Sequence, residues 1–209
     1  MVKQYVVNEV FFSLQGEGTR AGTANVFVRF SACNMRCSME PAEDSPGGFD
    51  CDTEFVSGHK VTAEELLDWM GDEWESEDGG APKACVLTGG EPGLQLDTEL
   101  LTALKTVGWY VAIETNGSIL LPTGLDWITV SPKVAEHAIR QRTASEVKYV
   151  RGHGQAIPRT CVEAPMKLLS PAFGGMDVDP SALAWCIRLV KEHPEWRLSL
   201  QMHKVWQVR

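Results

Sequence analysis

Six short runs rich in Val, Ile and aromatic residues recur along the chain, and amphipathic helical segments separate several of them. That alternation restricts the fold more than any other feature of the sequence. The runs are residues 25–31 (NVFVRFS), 84–88 (ACVLT), 110–114 (YVAIE), 127–130 (WITV), 146–150 (EVKYV) and 166–169 (MKLL). They read as mostly apolar on both sides, the pattern of parallel strands covered on both faces. Three helices are legible between and after them. Thr62 caps the first with Glu65 three residues on, and Ala63, Leu66, Leu67, Met70 and Trp74 form its apolar stripe. The second starts near Asp97, carries Leu100, Leu101, Leu104 and Val107, and stops at Gly108. The third has Asp179 as cap and Pro180 in its first turn, buries Leu183, Ile187 and Val190, and ends before Pro194. Residues 134–144 make a weak helix at best, and 116–126 and 151–164 show no helical period. Strand–helix alternation predicts a right-handed α/β wind. Three helices and about six strands are too few for a closed eight-fold barrel. The expectation is a partial, open TIM-like barrel of about six parallel strands, with ligands at the C-terminal strand ends.

Length and composition exclude several classes. A chain of 209 residues buries one sizeable core, so residues 1–209 are read as a single domain. Its net charge of −9 argues against a nucleic-acid binder, which needs a basic stripe. No apolar run approaches the roughly 20 residues that span a bilayer. The start, MVKQYVVNEVFF, lacks a signal-peptide layout, so a cytoplasmic, reducing setting is expected. The acids concentrate in residues 40–78, where GDEWESEDGG reads as a solvated loop. Cys85, Cys161 and Cys186 sit singly in apolar surroundings and read as core residues.

The other three cysteines lie together in SACNMRCSMEPAEDSPGGFDCDT, residues 31–53. Cys33 follows the first predicted strand directly, with Cys37 and Cys51 beyond it. In a reducing compartment such a cluster means metal or redox chemistry more often than disulfides. Zinc would need a fourth ligand, with His59 as a candidate, although no C-x2-C pair is present. An iron–sulfur cluster on three thiolates would leave one iron open to a substrate or cofactor. Spacing alone serves both. The second strand, ACVLTGGEPGLQ, then places Gly89, Gly90 and Glu91 at its C-terminal end. Paired glycines let a ligand approach the backbone, and a carboxylate can meet an ammonium. The cysteine loop and the GGE end, one crossover apart, make a joint signal that neither makes alone.

On these residues the sequence resembles the radical S-adenosylmethionine superfamily. The superfamily's usual spacing is C-x3-C-x2-C; this chain keeps Cys33-x3-Cys37 but stretches the second gap to thirteen residues. FFSLQGEGTRAG, CDT (51–53), TGGEP (88–92), ETNG (114–117), SPK (131–133) and LQMHK (200–204) follow in order. Together, across residues 12 to 204, they resemble the 7-carboxy-7-deazaguanine synthase family of queuosine biosynthesis.

That resemblance implies a radical lyase. A [4Fe–4S] cluster on Cys33, Cys37 and Cys51 would cleave S-adenosylmethionine. The resulting radical would take hydrogen from C6 of 6-carboxy-5,6,7,8-tetrahydropterin, and ring contraction with loss of ammonia would follow, assisted by Mg²⁺. For the cofactor, the resemblance implies Phe49, Asp50, Gly89, Gly90, Glu91, Glu114, Asn116, Ser131, Pro132, Lys133, Pro171 and Phe173. Thr53 would hold Mg²⁺; Asp52 beside it is the alternative metal carboxylate, or else a cap. For the pterin it implies Leu14, Gln15, Gly16, Glu17, Arg29, Thr88, His203, Lys204 and Arg209, drawn largely from N- and C-terminal substrate-binding extensions. Gln15 and Glu17 have a plainer reading as a polar turn, and Arg29 as one half of a structural ion pair.

The implied partners are the small-molecule pterin, an external flavodoxin-like electron donor and a second copy in a homodimer, with no nucleic acid and no membrane. Two other readings compete. A glycyl-radical-enzyme activase shares GGEP and the cluster but has no need of LQGEG or CDT. A zinc-stabilised α/β binding module would use the cysteines without redox chemistry.

Overall fold

A computed structural model describes residues 2–35, 56–74, 82–174 and 177–209. The main sheet has nine strands among these residues, in the order β11-β8-β7-β6-β5-β4-β2-β1-β3. They are β1 (Tyr5–Leu14), β2 (Ala24–Phe30), β3 (His59–Val61), β4 (Ala84–Gly89), β5 (Tyr110–Thr115), β6 (Trp127–Val130), β7 (Glu146–Arg151), β8 (Met166–Pro171) and β11 (Trp196–Leu198). From β2 to β11 every neighbouring pair is parallel. β1 runs antiparallel to both β2 and β3. A small hairpin, β9 (Phe173–Gly174) with β10 (Asp177–Val178), follows β8. The result is the expected open wind, enlarged by β1, β3 and β11.

Among the described residues four helices accompany the sheet: α1 (Ala63–Glu73), α2 (Thr98–Thr106), α3 (Pro180–Glu192) and the short α4 (Met202–Trp206). The predicted starts hold. Thr62 and Glu65 form a reciprocal capping box. Asp97 accepts from Leu100 N, and Asp179 accepts from Ser181 N and Ala182 N. Among the described residues no helix is long and apolar enough to cross a membrane.

Three local expectations need correction. Val107 caps α2 and is exposed, because the chain turns at Gly108 (φ +88°) before a further turn could bury it. The buried stripe of α3 is Ala182, Cys186 and Leu189, which leaves Ile187 exposed. Gly71, Asp72 and Glu73, expected in a solvated loop, form the last turn of α1.

The larger correction concerns the strand faces. One face is apolar: Val26, Val28, Phe30, Leu87, Val111 and Ile113 pack with Leu66, Met70, Leu100 and Leu104 of α1 and α2. Val130, Val147, Tyr149 and Leu169 continue this core against Leu189 of α3. Each fully buried aliphatic or aromatic side chain contributes about 1.5–3 kcal/mol here. The parallel register places the alternate residues together on the other face: Arg29 beside Thr88, Glu114 beside Thr129, Thr129 beside Glu146, and Lys148 beside Leu168. That face carries the charged and hydroxyl side chains, with Phe27 and Leu168 among them. Among the described residues, the loop after β1 and the segment after β11, which includes α4, lie against it.

Candidate active site

The turn after β2 sets the first wall. Ala32 adopts a left-handed conformation (φ +70°), which costs a non-glycine residue about 1 kcal/mol, and Cys33 follows immediately. The end of β4 lies against this turn. Gly90 N donates to Phe30 O and Glu91 N to Ala32 O, both at 3.0 Å. A Cβ on Gly90 would stand 2.0 Å from Ala32 O and 3.1 Å from Cys33 Cβ. Gly89, at φ +117°, could not carry one either, since it would meet Phe30 O at 2.2 Å. Only paired glycines allow the two segments to close to backbone contact. Met35 N donates to Cys33 Sγ at 3.4 Å, the kind of backbone hydrogen bond that tunes cluster thiolates. Cys33 therefore fits a cluster ligand with the Gly89–Gly90 edge beside it. Cys37, Cys51, Thr53, Asp52, Phe49 and Asp50 lie outside the described residues.

Glu91 does something other than face open space. It is fully buried, and its carboxylate accepts from Gly93 N (2.9 Å), Thr115 Oγ1 (2.7 Å) and Asn116 N (2.7 Å). Burial pushes its pKa up, opposed by these three donors. It ties the end of β4 to the end of β5. Asn116 in turn donates to Asn34 Oδ1 at 3.0 Å, which links β5 back to the cysteine turn. Ser131 and Lys133 follow β6, with Lys133 Nζ 3.4 Å from Ser131 Oγ. Pro132 lies between them, and Pro171 closes β8. Lys204 Nζ stands 4.6 Å from the Phe173 ring centroid, so these two predicted site residues meet.

The LQGEGT segment after β1 enters the polar face. Leu14 ends the strand; Gln15, buried, donates to Glu114 Oε1 at 2.8 Å and accepts from Glu17 N at 2.9 Å. Gly16 is pressed on the C-terminal segment: its O accepts from Met202 N at 2.8 Å, and a Cβ there would stand 2.4 Å from His203 Nδ1. Glu17 forms an ion pair with Lys148 and accepts from Gln201 Nε2 at 2.8 Å. Burial raises the Glu17 carboxyl, but the Lys148 charge, the bonds from Lys148 and Gln201, and His203 lower it to about 2. Thr19 N and Oγ1 donate to Glu146, which also accepts from Thr129 Oγ1 at 2.9 Å.

Arg29 has an anion within its own chain. Its Nε donates to Glu9 Oε1 at 2.7 Å, and Arg209 pairs with the other Glu9 oxygen. Both guanidiniums stand over the Phe11 ring. Thr88 is the parallel neighbour of Arg29. Of the residues named from sequence, Gln15, Glu17, Arg29, Thr88 and Glu114 lie on or against the polar face. With them lie Glu9, Glu146, Lys148, Gln201 and Ser199, whose Oγ accepts from Gly18 N at 3.0 Å and which sequence reasoning missed. For Glu146 and Lys148 the signal was available: two charges at period two inside an apolar strand, the same oddity that singled out Arg29. His59, the candidate zinc ligand, lies on β3 with its ring 6.2 Å from that of Trp69. The three single cysteines carry thiols with raised pKa values, Cys186 to about 11, in each case chiefly through burial.

An open, mostly parallel α/β sheet with Cys33 directly after its first parallel strand, and a glycine pair packed on that turn, is the arrangement the sequence resemblance to radical S-adenosylmethionine enzymes leads one to expect. No family model matches the chain. It is 39% identical over 215 residues to the 7-carboxy-7-deazaguanine synthase of Bradyrhizobium diazoefficiens, covering 98% of this chain and 99% of that one. With the Caulobacter vibrioides enzyme of the same name it shares 40% over 211 residues, 96% of this chain and 97% of that one. The fold resembles the crystal structure of QueE from Escherichia coli, with a TM-score of 0.68 at 24% identity over 96% of this chain and 95% of that chain. The chain belongs to the 7-carboxy-7-deazaguanine synthase family. With that membership comes the cofactor set expected from the sequence: a [4Fe–4S] cluster, S-adenosylmethionine and Mg²⁺.

Proposed function

We propose that the chain acts as a single domain that converts 6-carboxy-5,6,7,8-tetrahydropterin to 7-carboxy-7-deazaguanine, starting with hydrogen abstraction at C6. The observation that carries this reading is the Gly89–Gly90 edge packed on the Cys33 turn at the mouth of a polar face. When bound, the cluster supplies the electron that cleaves S-adenosylmethionine and so provides the radical. The protein's part is orientation and electrostatics. Cys33, Cys37 and Cys51 hold the cluster, and the Gly89–Gly90 backbone receives the cofactor's amino group. Asn116, Ser131 and Lys133, at the ends of β5 and β6, meet its ribose and carboxylate, with Phe173 and Pro171 on the adenine side. Gln15 and Glu17 accept from the pterin's amino-pyrimidinone edge, with Glu114 behind them.

Arg29 and a Mg²⁺ at Thr53 share the substrate carboxylate. With its Nε on Glu9, Arg29 still has four N–H donors on its two Nη groups, enough for a bidentate bond. His203, Lys204 and Arg209 form the wall on the C-terminal side. The reductant is an external flavodoxin-like protein and the setting cytoplasmic. A homodimer covers apolar surface such as Leu120, Val205 and Trp206, which are exposed in the single chain.

Anaerobic reconstitution with iron and sulfide tests the whole reading. A brown protein that forms 7-carboxy-7-deazaguanine from the pterin supports it; a colourless zinc protein without turnover contradicts it. Sedimentation at micromolar concentration tests the dimer, and a single monomeric species would count against it.

A further inference from the structure

Lys148 is the most deeply buried cation among the described residues. Its side chain is 6% exposed, against 16% for its ion-pair partner Glu17. Three carboxylates surround this cation: Glu17, Glu114 and Glu146. Two of them have neutral partners. Glu114 accepts from Gln15, and Glu146 from Thr19 and Thr129. Glu17 alone makes the direct ion pair with Lys148, and Gln201 holds its other oxygen.

We propose that Lys148 is a positioning residue whose ammonium keeps Glu17 ionised and aimed, so that this carboxylate accepts the paired N–H donors of the pterin's 2-amino-pyrimidinone edge. The proposal rests on the reading above that Glu17 touches the pterin. An ionised carboxylate offers about four acceptor sites, of which Lys148 and Gln201 use two. The remaining pair matches two adjacent donors in a plane. A protonated Glu17 would instead present an O–H to those donors and reject the ring.

Burial by itself favours that protonated form, because a desolvated carboxyl without a cation shifts upward. The charged groups facing Glu17 are Lys148 from β7 and His203 from the C-terminal segment, with Arg20, Glu114 and Glu146 in the surrounding cluster. Lys148 is the one in direct contact. Burial pulls the lysine down, yet Glu17, Glu114 and Glu146 hold it well above the ordinary lysine range, so it stays charged throughout the working range. A buried ion pair is seldom the most stable filling for such a site. Its use here is to fix one charge where recognition needs it.

Equilibrium dialysis of 6-carboxypterin, a non-reacting pterin, against reconstituted holoenzyme tests this. Wild type should bind with affinity that changes by less than about threefold between about pH 5.5 and 7.5, since Glu17 is ionised throughout. Lys148→Met should bind about tenfold more weakly at the acid end than at the other, because the uncompensated Glu17 then titrates inside the window. Glu17→Gln should bind weakly at every pH. Should Glu17→Gln bind like wild type, the reading of Glu17 as a pterin contact fails. If Glu17→Gln loses binding while Lys148→Met keeps wild-type, pH-independent affinity, the role of Lys148 alone is overturned. Lys148→Arg decides the matter even if Lys148→Met does not fold. It keeps the charge and should restore a flat profile, and a pH-dependent loss in that variant would overturn the proposal.

Discussion

The two faces of the sheet use the same strands for different ends. On β2, Val26, Val28 and Phe30 are fully buried under α1 and α2, while Phe27 and Arg29 between them look the other way. On β7, Val147 and Tyr149 join the core, and Glu146 and Lys148 alternate with them on the polar side. The helix-covered face is held by non-directional burial, which tolerates many apolar side chains of similar volume. The polar face depends on charges, each with a specific partner: Lys148 with Glu17, Arg29 with Glu9. Stability and chemistry should therefore be separable by mutation, one residue apart along a strand.

The largest effect expected is from the cysteine turn. Cys33→Ala should remove bound iron and all turnover, whereas Cys85→Ala should keep both; iron analysis and product assays on the two variants check this. On the covered face, Leu104→Ala should cost about 2–5 kcal/mol of stability in urea unfolding, because the fully buried side chain leaves a cavity between α2 and the sheet. The folded fraction of that variant should keep the cluster spectrum. Arg29→Lys reverses the pattern. Lysine cannot hold Glu9 and grip a carboxylate with a fork at once, so turnover should drop about tenfold or more with the cluster and the urea midpoint little changed.

The smallest effect is acid sensitivity at Glu17. Its folded pKa of about 2 lies below the unfolded value of about 4.3. Its contribution is therefore fully present above about pH 4.3 and lost as pH falls toward about 2. Urea midpoints of wild type and Glu17→Gln should converge across that window. A constant gap would show that the ion pair does not respond as placed.

Much of this division was legible in the sequence, and the misses have physical causes. The six parallel strands and three helices were readable because their caps and apolar runs are local. β1 was not, because a bulge between Val7 and Glu9 shifts its register and breaks the alternation a half-buried strand should show. Strand faces were misjudged for the opposite reason. A run such as VFVRFS reads as apolar on both sides when its few inward polar residues are averaged with aromatics like Phe27. Glu17 and Arg29 stand out in the sequence as site residues, but their partners do not. Arg29 meets Glu9, 20 residues earlier, across the β1–β2 register. Glu17 meets Lys148, 131 residues later, where the loop after β1 reaches β7. Glu91 shows the same limit: a local motif placed it at the right strand end, and only tertiary structure assigned its carboxylate to Thr115 and Asn116.

The central claim is that the polar face holds the pterin with C6 directed at the cofactor bound beside Cys33. The most direct test is turnover of 6-carboxytetrahydropterin carrying deuterium at C6, under anaerobic conditions, with mass analysis of 7-carboxy-7-deazaguanine, 5′-deoxyadenosine and the recovered S-adenosylmethionine. The account predicts 7-carboxy-7-deazaguanine as the product and deuterium at the 5′ carbon of the cofactor, whether it is recovered as 5′-deoxyadenosine or as S-adenosylmethionine. No deuterium in either cofactor species while 7-carboxy-7-deazaguanine forms would mean that hydrogen is taken from another position. The orientation assigned to the pterin would then be wrong.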